Sequence, residues 1–195
     1  MSSVPKVSQL LTGELADCLN QIDEVQNSAE RLLDGLTDHQ FNWRPAFGKW
    51  SIAECMSHLE VVGRKHLPRI DEAIEHAHRA RCYGDGPFKY GFVAKWFVHA
   101  NEPPPRIRMK APRAATPRAF QPRRELWMEF VALQDELRDR IRQSQGLDLA
   151  RAKVHSPFVG PFRLGLGACL AFLAAHERRH LWQAQQVRSH ADFPA

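Results

Sequence analysis

Trp50 to His66 reads WSIAECMSHLEVVGRKH, and it announces a helix and its starting point. Ser51 followed three residues later by Glu54 has the form of a capping box. The serine hydroxyl accepts from the Glu54 amide while the glutamate reaches back to the Ser51 N–H. Trp50 and Cys55 occupy the hydrophobic-staple positions around that cap. From Ile52 onward, Ile52, Cys55, Leu59, Val62 and His66 recur at steps of three and four, one face of an amphipathic helix. The pattern continues past Pro68, a residue that loosens or kinks one turn, to about His78.

Three further helices follow from the same reading. Upstream, Leu11, Leu15, Cys18, Ile22, Val25, Ala29 and Leu32 mark a long first helix over about Gln9 to Leu36. Downstream, Leu126, Phe130, Leu133, Leu137 and Ile141 mark a third, which stops before Gly146. The fourth, from about Arg163, carries Leu166, Cys169, Leu170, Leu173, His176, His180, Ala184 and Val187 on one stripe. Residues 82–99 mix glycines with aromatics and suit a short helix packed over one end. Between Glu102 and Arg123 there are six prolines, which exclude regular structure, so Asn101 to Gln121 is a long basic crossover loop. No convincing strand is visible. The expected fold is all-α: a four-helix bundle with a long crossover connection between helices two and three, in a single domain over residues 1–195.

Composition narrows the class. With 195 residues and 44% hydrophobic content the chain can bury one sizeable core. The longest uncharged apolar run, Leu164 to Ala175, is too short to cross a bilayer, and nothing at the N-terminus reads as an export signal. Cys18, Cys55, Cys82 and Cys169 are far apart and form no C-x-x-C pair, as expected of reduced thiols in a cytoplasmic protein. The net charge of +5 is local: Asn101 to Arg124 holds seven basic residues against one acid, leaving −1 elsewhere. A nucleic-acid strip would use Arg106, Arg108, Lys110, Arg113, Arg118, Arg123 and Arg124. Only Phe120 offers an aromatic within it, so a solvated loop is the preferred reading.

The chemistry lies in His176-Glu-Arg-Arg-His180. Two imidazoles four residues apart stack on one helix face, and here that face is otherwise leucine, alanine and valine. A neutral imidazole in such a place needs a hydrogen bond or a metal, and a stacked pair favours the metal. The string also fits the H-E-x-x-H helix of zinc proteases. That reading fails because no glutamate follows Glu177 and Gln183 stands where the longer motif has glycine. A third ligand must come from an upstream helix. His58, between Cys55 and Val62, is the best candidate, ahead of His66, His99 and His155.

Taken together, Trp43-Arg-Pro45, Gly48-Lys-Trp50-Ser51-Ile52, Glu54, His58-Leu59 and the helical His176-x-x-x-His180 resemble, in order and spacing, the DinB-like family of metalloenzymes, which has a thiol-dependent S-transferase branch. The resemblance runs from the first helix to Val187; it implies a four-helix bundle with a metal held near one end by His58, His176 and His180. The segment from Cys82 to Gln121 departs from the family pattern, which leaves the substrate unidentified.

Three imidazoles leave a divalent ion its full charge and an open position, an arrangement suited to catalysis. The expected cofactor is zinc or nickel, with a low-molecular-weight thiol as a second candidate. The expected activity, by family analogy, is that of a hydrolase or S-transferase acting on a small-molecule electrophile. The alternative is a non-catalytic metal-binding or stress-associated bundle. Glu177 reads as a solvated or outer partner of an arginine and Glu60 as no stronger a candidate, so no catalytic base is assigned. Gln183, Trp43 and Trp50 read as packing residues before ligand contacts. A broad apolar outer face would suit a homodimer.

Overall fold

The computed structural model describes residues 11, 13–105 and 111–195. Four long helices dominate: α1 (Gly13–Leu33), α3 (Ile52–Arg79), α5 (Arg123–Gln143) and α6 (Leu166–Arg188), with α2 (Asp38–Asn42) and α4 (Phe92–Ala100) between them. α1 and α3 each pack against both α5 and α6, the helical-bundle arrangement, and α4 lies on α6. The connection from α3 to α5 contains α4 and a 3-10 turn at Arg113–Ala115.

The capping box at Ser51 forms: its Oγ accepts from the Glu54 N–H at 3.1 Å, and its own N–H donates to Glu54 Oε2 at 2.9 Å. Arg44 then clamps the same carboxylate with Nε at 2.7 Å and Nη2 at 2.5 Å, tying the incoming loop to the start of α3. Pro68 neither breaks nor ends the helix. It sits on the exposed face, where water can serve the carbonyl it leaves unpaired, while Leu67 and Ile70 stay buried on either side. At Gly63 α3 lies tight against α5, where an added Cβ would fall 2.5 Å from a Leu133 methyl.

Several boundaries differ from the sequence expectation. α1 stops at Leu33, because Gly35 turns the chain at φ +71°; at the other end, Gln9 lies outside the described residues. α2 has its own capping box, Thr37 with Gln40, and it fastens the start of α5: Asp38 Oδ1 accepts from the Arg123 N–H at 2.8 Å, and Asn42 exchanges two hydrogen bonds with the Gln121 backbone. Residues 163–165, expected as the first turn of the last helix, form a strand instead. β1 (Lys153–His155) and β2 (Arg163–Gly165) pair antiparallel, with Val154 opposite Leu164 and both buried. Gly165 is required there, since a Cβ would lie 2.9 Å from the Leu149 carbonyl oxygen. The 3-10 turn is a further exception to the irregular crossover, and Arg106, Arg108 and Lys110 of the basic strip lie outside the described residues.

Among the described residues no helix is long and apolar enough to cross a membrane. All four cysteines are free, with Cys18, Cys55 and Cys169 buried and Cys82 half-buried. Burial pushes the Cys18 and Cys169 thiols up to about 12 and Cys55 higher still, so the reactive thiolate is suppressed in all three. Labelling of the native protein with an aromatic disulfide at pH 8 should therefore titrate one thiol, Cys82, and denaturation should release three more. Rapid native labelling of two or more would contradict this packing.

Candidate metal centre

His58 lies in the second turn of α3, and His176 and His180 lie one turn apart on the face of α6 that meets it. The ring centroids are 4.5 Å apart for His58 and His180, 4.6 Å for His176 and His180, and 5.2 Å for His58 and His176. One ligating nitrogen from each lies within 4.8 Å of the others, close enough for the three to hold a single ion. The indole of Trp50, from the residue before the α3 cap, covers His58 at 4.9 Å and His180 at 5.6 Å.

A hydrogen bond decides the tautomer of His58, and a longer contact bears on that of His176. His58 Nδ1 lies 2.7 Å from the Ala115 carbonyl, which can only accept, so Nδ1 carries the proton. His176 Nδ1 lies 3.4 Å from Asn101 Oδ1, and the Asn101 amide is oriented by donating Nδ2 to the Phe97 carbonyl at 2.8 Å. His58 Nε2 is therefore a bare acceptor, and the Nε2 of His176 faces it at 3.1 Å, either donating its proton to it or, with the proton on Nδ1 towards Asn101, presenting a second lone pair. In the second arrangement the two lone pairs repel unless a cation lies between them. The edge of a tetrahedron built on metal–nitrogen bonds of about 2.0–2.1 Å is roughly 3.3 Å, close to the separation seen. His180 adds a buried Nδ1 with no hydrogen-bond partner. The donor set thus fits a divalent ion, with the two orienting acceptors supplied by the crossover segment.

Burial lowers the affinity of these rings for protons. His176 is held well below the ordinary histidine range by desolvation, then by His180 and His58; His180 is lowered to about 3 by desolvation, then His58 and Arg179, with Gln183 opposing. His58 is lowered by desolvation against the Ala115 hydrogen bond. All three are neutral at physiological pH, the form that ligates metal.

The cluster forms part of the wall of a cavity of about 820 Å³. α3 and α6 form its floor, while α4, the crossover and the β1–β2 hairpin enclose it with Trp96, Phe97, Phe158 and Phe162. Among the described residues no Asp or Glu lines it, whereas Arg179 does, with Nη1 donating to the Ala100 carbonyl at 3.1 Å.

The remaining candidates separate. His66 lines the cavity but stands apart from the cluster; His155 is an exposed residue at the cavity wall and His99 is exposed on α4. Trp43 packs on His190 and Phe193, a structural contact, and Gln183 lines the cavity. Glu60 pairs with Arg64 and Arg118 and does not line the cavity. Glu177, expected to be solvated or an arginine's partner, is instead 3% exposed and accepts from Gln134 Nε2 of α5 at 2.9 Å. Its Oε2 and the Gln134 Oε1 have no partner, and burial raises the carboxyl to about 7. The reason is that α6 is enclosed by α1, α3, α4 and the hairpin, so a step round the helix from His176 leads to another interface. Asn101, the Ala115 carbonyl and Arg179 escape the sequence reading because their roles depend on contacts between distant segments; only Arg179 gives a local signal, by adjoining His180.

Asn101→Ala removes the acceptor that holds His176 Nδ1 and should lower divalent-metal affinity about 10–100-fold, the usual cost of losing an outer partner of a ligating histidine. A competition titration against a chromophoric chelator reads this directly. Unchanged affinity would show that Asn101 does not orient the ring.

Among known families, the model for the DinB superfamily matches residues 21–184. Comparisons with curated proteins and with solved structures give no match.

Proposed function

The chain belongs to the DinB superfamily, and on that premise we propose that it is a metal-dependent enzyme whose His58, His176 and His180 ligate one divalent cation, zinc or nickel. In this reading it is a hydrolase or an S-transferase, attacking a small electrophile with water or a low-molecular-weight thiol. The observation that carries the proposal is the convergence of one ring nitrogen each from His58, His176 and His180 within 4.8 Å of one another, at the wall of an aromatic-lined cavity of about 820 Å³.

The ion, when bound, supplies Lewis acidity and lowers the pKa of the nucleophile. The chain supplies the rest. Ala115 fixes the His58 tautomer, so that ligation needs no proton rearrangement there, and Asn101 offers an acceptor for the matching tautomer of His176. Trp50 shields the imidazoles, and the phenyl rings exclude water from around the substrate. Arg179 places a positive charge in the same wall, where negative charge developing on the electrophile would be stabilised. With no carboxylate among the described residues that line the cavity, a nucleophilic thiolate meets no like charge from them. The four free cysteines agree with a cytoplasmic setting, which we include in the proposal.

The test is turnover by metal-loaded protein of a panel of aryl halides with common cellular thiols and of aryl esters with water. Activity that requires the metal and disappears in His180→Ala supports the proposal. A fully metal-loaded protein that turns over none of them points to the non-catalytic metal-binding bundle.

A further inference from the structure

His66 is the one cavity-lining histidine on a bundle helix that lies outside the metal cluster. It lies eight residues after His58 on α3, about 12 Å further along the helix axis at 1.5 Å per residue. It is 5% exposed, and its ring is held between Phe158 of the hairpin segment at 5.7 Å and Phe172 of α6 at 5.8 Å. Its Nδ1 lies 2.8 Å from the Val62 carbonyl of its own helix, an atom that only accepts, so Nδ1 bears the proton. Nε2 is therefore a bare acceptor, and no described residue bonds to it.

The surroundings offer little else to a polar ligand at this end. Phe158 and Phe172 flank the ring, Phe162, Leu164 and Cys169 add apolar lining to the same cavity, and His155, also on its wall, is exposed. The Ser156 oxygen already accepts from the Phe158 and Val159 amides, and Thr116 donates its hydroxyl proton to the Arg113 carbonyl. One acceptor set in an apolar stretch of wall, two helical turns along α3 from His58 and separated from His176 by the Phe172 ring, selects ligands by a single hydrogen bond. Desolvation also lowers the His66 proton affinity, in keeping with a neutral ring.

We propose that His66 is a specificity-determining residue, and that the substrate is an elongated apolar or aromatic molecule carrying a hydroxyl or N–H donor roughly 10–12 Å from its reacting centre. The assignment of the metal end as the reacting end rests on the function proposed above; the binding preference at His66 does not.

The experiment compares 4-phenylphenol with 4-methoxybiphenyl, two ligands of similar shape of which only the first can donate. Binding is followed by quenching of tryptophan fluorescence, since Trp50 and Trp96 line the cavity, on both metal-free and zinc-loaded protein. Wild type should prefer the phenol roughly tenfold or more, because the ether leaves a buried acceptor unpaired. His66→Phe should bind both ligands alike while keeping the aromatic packing, and His66→Gln, which retains an oxygen acceptor, should recover part of the preference. Equal binding of the two ligands by wild type, or a preference that survives in His66→Phe, overturns the proposal. Failure to take up zinc would count against the metal centre alone, because the metal-free titration still reads His66.

Discussion

Replacement of His176 by alanine is expected to weaken divalent-metal binding by more than about 100-fold. Loss of a mere outer partner of a metal-ligating histidine costs about 10–100-fold, and in the proposed site His176 is itself a ligand. Its Nε2 faces the Nε2 of His58 and its ring adjoins that of His180, so its removal would leave two ligands and no closed site. The fold should survive, because Ala174, Ala175 and Glu177 continue to bury α6 around the substitution. Titration of wild type and variant with zinc in competition with a chromophoric chelator reads the change, and circular dichroism reads the helix content. Affinity within threefold of wild type would mean that the three rings are packing groups.

The second large effect concerns the core. Phe130 of α5 is fully buried beside Trp127, in a cluster that includes Phe41, Leu126 and Leu181. Phe130→Ala should cost about 3–5 kcal/mol, a large share of the roughly 5–15 kcal/mol by which a domain is usually stable. Met128 on the same helix is 62% exposed, so Met128→Ala should stay within about 0.5 kcal/mol. Urea denaturation with a chelator present keeps metal linkage out of both numbers. Similar midpoints for the two variants would contradict the core described here.

The long helices were legible because each carries its own signal. The Ser51/Glu54 box and the run from Ile52 to His66 state where α3 begins and which side it buries, and no distant contact is needed to read them. The α2 box at Thr37 and Gln40 was equally local, but a five-residue helix between turn formers shows no periodicity to draw attention to it. The hairpin was hidden for a different reason. Each strand has three residues, too few for alternation to be seen, and the pairing depends on where α6 begins. At the site, the spacing of His176 and His180 stacks two rings by helix geometry alone, whereas bringing His58 to them requires α3 and α6 to be neighbours. Family resemblance suggested that adjacency, and the packing of the bundle provides it. Glu177 was misread because an amphipathic helix was assumed to keep one side in water, and α6 is buried on several. The roles of Asn101 and Ala115 could not be read at all, since a backbone carbonyl or an amide becomes an orienting acceptor only once the crossover has folded over the histidines.

The most direct test of the metal centre is X-ray absorption at the metal edge of protein purified without an affinity tag, with elemental analysis of the same sample. The geometry at His58, His176 and His180 predicts about one equivalent of zinc or nickel, with three imidazole nitrogens in its coordination shell, at about 2.0–2.1 Å if the metal is zinc. A metal-free protein that takes up no ion on reloading, or an ion with fewer than three imidazole ligands, would contradict it.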